Sequence, residues 1–400
     1  MVHHTLIQNN DKIYSFGNNN YGQLGLGHNC FQKIPQLLKL DLVVNQIACG
    51  GFHTVILTTL NEVYVFGNNS SGQLGLGHNK DQNTPQLLKL NQPVSQISCG
   101  ANHTVILTES NQVYVFGYNK YGQLGLGNND NQNIPQLLKL NGQVSQIVCG
   151  KYCTMILTES NNIYAFGRND CGQLGLEHNE HQNIPQLLKI DQPVRQIACG
   201  AYHTIILTES GDVYAFGSNF YDQLGLGYGD EQNIPRLLKL DAIVCQIACG
   251  EYHTVILTES NNVYVFGRND NGQLGLGHNN NQNIPQLLKF DKLIYQIACG
   301  EYHTIILTES ADVYVCGYNL CGQLGLGYKD NQNMPTLLSI KGTRLMNNTL
   351  PTRWTPKNHH QFSHKFHHQV LMFMLINKYF IRPDLKVPKF LCYEIIKKLN

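Results

Sequence analysis

Charge is scarce in this chain. Only 14% of its 400 residues are Asp, Glu, Lys or Arg, against ~25% in ordinary soluble proteins. Neither sign dominates: 28 basic residues stand against 27 acidic ones, a formal net charge of +1. That balance excludes binding to nucleic acid by bulk charge, which needs a strong basic excess. No apolar run approaches the ~18 residues of a membrane-crossing helix, so no membrane association is expected. The opening, Met1–Asn10, has no charged segment before its brief apolar stretch, so no secretory leader is expected. Tryptophan occurs once, at Trp354. No Cys-x-x-Cys pair occurs, which removes the usual sign of a zinc or redox site. The 13 cysteines are also too dilute for a disulfide scaffold. Free thiols in an intracellular, cytoplasmic or nuclear, protein are the expectation.

What is abundant is repetition. Glycine stands at Gly17, Gly67, Gly117, Gly167, Gly217, Gly267 and Gly317, a period of 50 residues. One pattern follows each, as in Gly67-Asn68-Asn69-Ser70-Ser71-Gly72-Gln73-Leu74-Gly75-Leu76-Gly77. Seven copies fill residues 1 to about 340. A fixed period of this length is the mark of a repeat architecture.

Each copy reads as β structure. Gln96–Cys99 is a short buried run, His103–Thr108 a β-branched one, and Glu109–Gln112 a turn by composition. Val113–Phe116 ends at Gly117. After the Gly-rich stretch 122–127 and a polar loop, Pro135–Leu140 reads as an outer strand with proline at its first residue. Four short strands in about 50 residues make one propeller blade. WD repeats are shorter and carry Trp-Asp, and leucine-rich repeats run only ~20–29 residues. Helical repeats need a 3.6-residue apolar period that these strands lack. Kelch repeats share the length, but no Gly-Gly doublet recurs before an aromatic.

The motif Tyr-x-Phe-Gly-x-Asn-x-x-Gly-Gln-Leu-Gly-Leu-Gly, preceded by Cys-Gly-x-x-His-Thr, resembles the RCC1 (regulator of chromosome condensation) repeat. The resemblance covers about 340 residues and implies an all-β, seven-bladed β-propeller. His4-Thr5-Leu6-Ile7 matches His53–Ile56 one residue out of register, so the chain starts in mid-blade. Lys341–Met346 stands where the strand completing the first blade is needed, which would close the ring and remove its open edges. The expected domain is therefore 1–346. Residues 347–400 follow as a linker and helical tail, with His359, His360, His364, His367 and His368 and two apolar helices. A metal role for these histidines is not expected, since no Cys or carboxylate joins them.

Candidate sites divide into repeated and variable positions. The glycines lack the following helix that a phosphate cradle needs, so turns with φ > 0 explain them. Glu177 and Asp222 replace glycines of the motif and are strained if they adopt that geometry. The column His53, His103, His203, His253 and His303, with Cys153 in the fourth copy, is expected to bond backbone inside each blade. Equivalent residues around a seven-fold ring stand too far apart to share a zinc ion. The column Cys49 to Cys299 reads as buried packing. Every candidate nucleophile recurs in most copies, whereas catalysis needs one unlike constellation. No catalytic residue, cofactor or metal is assigned.

The variable positions are the candidate partner-binding rim. One set lies between the glycine and Gly-Gln: Tyr118, Lys120 and Tyr121; Arg168 and Asp170; Phe220 and Tyr221; Arg268 and Asp270; Tyr318. A second set precedes the histidine: Phe52, Asn102, Lys151-Tyr152, Tyr202, Glu251-Tyr252 and Glu301-Tyr302. Each is expected to line a rim of the disc, and Tyr and Arg on loops favour protein interfaces. The function expected is a non-enzymatic protein-interaction scaffold. The founding family member exchanges nucleotide on the GTPase Ran and docks on nucleosomes. The resemblance therefore implies, as an alternative, exchange on a small GTPase. The repeats carry no insertion, and no basic N-terminal tail is expected. Val387–Leu399 resembles the opening helix of F-box and SOCS-box adaptors, implying a ubiquitin-ligase subunit as a further partner.

Overall fold

A computed structural model describes residues 4–9, 12–40 and 42–339. These lie within one compact unit of seven antiparallel sheets, a seven-bladed propeller with no helix among the described residues. Blade 1 holds β1 (His4–Asn9), β2 (Lys12–Gly17) and β3 (Gln32–Leu38). Blade 2 holds β4 (Val44–Cys49), β5 (His53–Thr58), β6 (Val63–Gly67) and β7 (Gln82–Leu88). Blades 3 to 7 repeat this order of four from Val94, Val144, Val194, Val244 and Ile294. Blade 1 starts one strand late, as its sequence implies, and its strand order runs β1-β2-β3. The strand expected at Lys341–Met346 and the helical tail lie outside the described residues.

The outer strand corrects the expected boundaries. In blade 3 it runs Gln132–Leu138, so Pro135 sits inside it rather than at its start. The register shifts between Val115 and Gly117, opposite that proline. A bulge on an edge strand needs no ladder hydrogen bond there, which is how proline is tolerated.

The core lies between blades. Val55, Leu57, Val63 and Val65 of blade 2 pack on Val94, Ile97, Ile106 and Phe116 of blade 3, and this layer recurs around the ring. Its centre is an aromatic ring set on a bare glycine: a Cβ on Gly75 would lie 2.9 Å from Phe116. The same fit carries Phe16 of blade 1 against Gly325 of blade 7, so the ring closes through its packing. In blade 7 the ring is replaced by Cys316, whose sulfur would lie 3.1 Å from a Cβ on Gly275.

Between these layers runs a chain of side-chain bonds. His53 Nε2 lies 3.0 Å from Thr104 Oγ1, a residue of the next blade, and Thr104 Oγ1 donates to the Gln73 carbonyl at 2.8 Å. The hydroxyl proton is thereby spent, so the imidazole must donate through Nε2–H. The same pair joins His4 to Thr54, His103 to Thr154, His203 to Thr254 and His253 to Thr304. His303 to Thr5, at 3.1 Å, joins blade 7 to blade 1, and the seam of Cys153 alone among those described lacks the pair. The expectation of a backbone partner within the blade is corrected: the partner is a hydroxyl across the seam. Burial pushes His53, His103, His203 and His253 down to about 3, so each is neutral.

Candidate functional site: the aromatic loop face

The loop after each glycine is rigid because its polar side chains stay inside it. Asn69 Oδ1 accepts from the Leu74 N–H at 2.9 Å, while its Nδ2 donates to the carbonyls of His78 and Lys80 at 2.6 and 3.2 Å. Gln73 Oε1 accepts from Ser71 N–H at 2.9 Å. The glycine itself must be bare. Gly67 has φ 105°, and a Cβ there would lie 2.4 Å from the Phe52 carbonyl oxygen. All seven glycines of this column have φ between 98° and 109°. Glu177 and Asp222 do adopt positive φ, 68° and 63°. Burial raises the Asp222 carboxyl above its ordinary range.

The two variable sets occupy one face, not separate rims. His53 pairs with Gly67 at the end of the β5–β6 hairpin, so the residue before the histidine meets the residue after the glycine. Asn68 N–H donates to Phe52 O, Tyr118 to Asn102, Arg168 to Tyr152, Arg268 to Tyr252 and Tyr318 to Tyr302, each within 2.8–2.9 Å.

Blades 3 to 7 thereby assemble an aromatic and guanidinium cluster. Tyr118, Tyr121 and Tyr152 meet with ring centroids 5.4–6.1 Å apart. The Arg168 guanidinium lies 5.1 Å from the Tyr121 ring, 5.8 Å from Tyr152 and 4.8 Å from Tyr202. It donates to Asp170 through Nε at 2.8 Å and Nη2 at 2.5 Å, and to the Tyr202 hydroxyl at 3.3 Å. Two blades on, Arg268 repeats this arrangement over Tyr221, Tyr252 and Tyr302, at 4.6, 5.8 and 5.5 Å, and binds Asp270 at 2.7 Å. Tyr202 and Tyr252 stack at 5.5 Å between the two arginines. Tyr302 and Tyr318 meet edge to face at 6.2 Å. Burial acts to lower the pKa of Arg168, but Asp170 outweighs it, and the guanidinium is held above its ordinary range. Asp170 is held below its own range because Arg168 outweighs the burial of the carboxyl.

Above this layer stand the loop tips. Lys120, Asp170, Phe220 and Asp270 are exposed, and Phe220 at 77% is the most exposed large hydrophobic side chain described. It packs only edge-on against Tyr221, at 4.9 Å. Two residues of the second set pair with each other, which their sequence positions did not foretell: Lys151 Nζ reaches Glu251 at 2.6 Å, two blades away. Both line an axial cavity of about 370 Å³. The cysteine column Cys49, Cys99, Cys149, Cys199, Cys249 and Cys299 lines the same cavity. These residues are half-buried, and burial pushes the thiols of Cys49, Cys99, Cys149, Cys249 and Cys299 up.

The face is thus a rigid surface of unlike residues on a repeated frame. The fold defines a seven-bladed propeller of near-identical blades with unlike loops. The chain belongs to the RCC1-like domain family, whose profile matches residues 12–352. Among solved structures, human WBSCR16 superposes with a TM-score of 0.76 at 26% identity, covering 83% of this chain and 94% of that one. Prp20p from Saccharomyces cerevisiae, described with its binding to Gsp1p and histones, gives 0.76 at 23% identity, over 85% and 89% of the two chains. Probable E3 ubiquitin-protein ligase HERC4 of Homo sapiens is 42% identical over 59 residues, 14% of this chain and 6% of that protein's length. Among the described residues no helix is long and apolar enough to cross a membrane, and no group of three or more His, Cys, Asp or Glu is placed to hold a metal ion.

Proposed function

We propose that this chain is a non-enzymatic interaction scaffold that binds a protein partner on the loop face of blades 3 to 7, inside the cell. The observation that carries the reading is the paired arrangement of Arg168 and Arg268, each clasped by an aspartate and flanked by three tyrosines. Ordered Tyr and Arg side chains lose little entropy on binding and dominate interface energetics. The six seam histidines, His4, His53, His103, His203, His253 and His303, are instead buried and committed to the seams.

Nucleotide exchange on a small GTPase is the second reading, supported by the family and by the Gsp1p binding described for Prp20p. A ubiquitin-ligase role is a third, supported by the short match to HERC4. Two assays separate these. Affinity purification compares the wild-type chain with the Lys120→Ala, Tyr121→Ala, Arg168→Ala triple variant. Retained melting with capture reduced tenfold or more supports the scaffold face, since an interface Tyr or Arg commonly contributes more than ~1 kcal/mol. Undiminished capture removes this part of the face from the reading. Release of labelled GDP from a panel of small GTPases, accelerated ~100-fold or more, replaces the scaffold reading with exchange. Ligase subunits captured by the full chain and lost on removal of residues 347–400 favour the third.

A further inference from the structure

One seam departs from the others. Blades 4 and 5 meet where Cys153 occupies the histidine position, so Thr204 has no imidazole across the seam. Thr204 Oγ1 donates to the Gln173 carbonyl at 2.9 Å and lies 3.8 Å from Cys199 Sγ. Cys199 is in turn hydrogen-bonded to Cys153. The two side chains converge on Gly150: a Cβ there would lie 2.6 Å from Cys153 Sγ and 3.2 Å from Cys199 Cβ. In the standard seam that position faces an imidazole, with His53 Cε1 2.1 Å from a Cβ on Gly50. A thiol is smaller than an imidazole, and here a second thiol stands at its side.

We infer that Cys153 and Cys199 are an oxidation site, closing to an inter-blade disulfide that replaces the missing histidine–threonine bond with a covalent one. Access is one-sided. Cys153 is only 1% exposed, whereas Cys199 lines the axial cavity, which admits a small oxidant such as hydrogen peroxide. Peroxide oxidises the Cys199 thiolate to a sulfenic acid, its O–O bond breaking and one water leaving. The Cys153 sulfur then attacks the sulfenic sulfur, the S–S bond forms, and the hydroxyl departs as a second water with the thiol proton. Two thiols lose two electrons and two protons, and peroxide is reduced to two waters. The Cys199 S–H donates to Cys153, and this bond together with burial holds the Cys199 thiol well above its ordinary range, so the oxidation is slow at neutral pH and quickens as pH rises.

The location couples this chemistry to the loop face. Cys153 directly follows Tyr152, and Tyr152 and Tyr202, from the two blades joined, both flank Arg168. The disulfide pins these blades beside that arginine.

The test uses the full chain, treated with hydrogen peroxide, alkylated and mapped without reduction. Cleavage after Lys151 separates Cys149 from Cys153 and makes the pairing unambiguous. The expected result is a Cys153–Cys199 linked peptide, a melting temperature above that of the reduced chain, and reversal of both by dithiothreitol. Cys153→His, which rebuilds the imidazole bond to Thr204, is expected to fold and to lose the peroxide-induced shift. Cys199→Ser is expected to lose it as well. A Cys149–Cys153 link, oxidation of Cys199 to sulfinic acid without the Cys153–Cys199 peptide, or a shift that persists in Cys153→His would overturn the inference.

Discussion

The seams between blades and the loop face beside them are made from the same seven copies, yet they use them in opposite ways. At the seam, copies are alike: His against Thr at every described seam but that of Cys153, and Phe against bare Gly at every one but that of Cys316. On the face they diverge: Lys120, Asp170, Phe220 and Asp270 occupy one and the same position of successive copies. A closed ring requires each interface to fit its neighbours, so a change at one seam costs stability there. A loop tip meets only solvent or a partner, and unlike tips give an asymmetric partner one preferred rotation. Likeness marks what holds the ring, and unlikeness marks what it presents.

The sharpest way to break this contrast is to open the ring. Deleting Met1–Asn10 removes β1, the His4–Thr54 and His303–Thr5 bonds on both sides, and Leu6 and Ile7. Leu6 and Ile7 are half-buried, so each contributes part of the roughly 1.5–3 kcal/mol of a fully buried aliphatic side chain, against ~5–15 kcal/mol for a whole domain. The truncated chain is expected to be unfolded or to melt far below the intact one by calorimetry. Unchanged melting would refute closure through the N-terminal strand.

Acid comes next. The latch histidines sit at about 3 in the folded ring and near 6.5 in the unfolded chain. Between those values the unfolded state binds more protons, so this stabilisation is present above about pH 6.5 and is lost as pH falls toward 3. From pH 7 to 5 the loss is about 2 kcal/mol for each of the four. Urea midpoints should therefore drop steeply across that interval. His103→Gln should lower the midpoint at pH 7 and reduce its dependence on pH.

A core substitution sharpens the contrast further. Phe166→Ala should cost about 3–5 kcal/mol, because its ring is fully buried against Gly125. Cys316→Ala, at the matching position of blade 7, should cost much less, since far fewer atoms leave the core. The smallest effect has the opposite sign. Glu177→Gly and Asp222→Gly should each stabilise by about 1 kcal/mol by relieving a left-handed backbone. Asp222→Gly also removes a carboxyl that burial disfavours in its charged form.

Much of the frame was legible in the sequence. The 50-residue period, the strands and the mid-blade start follow from the residues, and the seven glycines have the positive φ their turns require. What escaped was contact between copies. A lone repeat shows no neighbour and so points His53 to a partner in its own blade, whereas the Thr104 hydroxyl stands beside it only once the blades are set side by side. The merging of the two variable sets had a signal: an antiparallel hairpin pairing His53 with Gly67 must bring position 52 beside position 68. Lys151 and Glu251 gave no such signal, since they are 100 residues apart and meet only across the axis.

The most direct test of the division between seam and face is hydrogen exchange on the chain with and without its captured protein partner. Slower exchange is expected at 118–121, 152, 168–170, 202, 218–221, 252 and 268–270. The turns at the opposite end of the same hairpins, 59–62, 109–112 and 209–212, should be unchanged. Protection confined to those opposite turns would contradict the account.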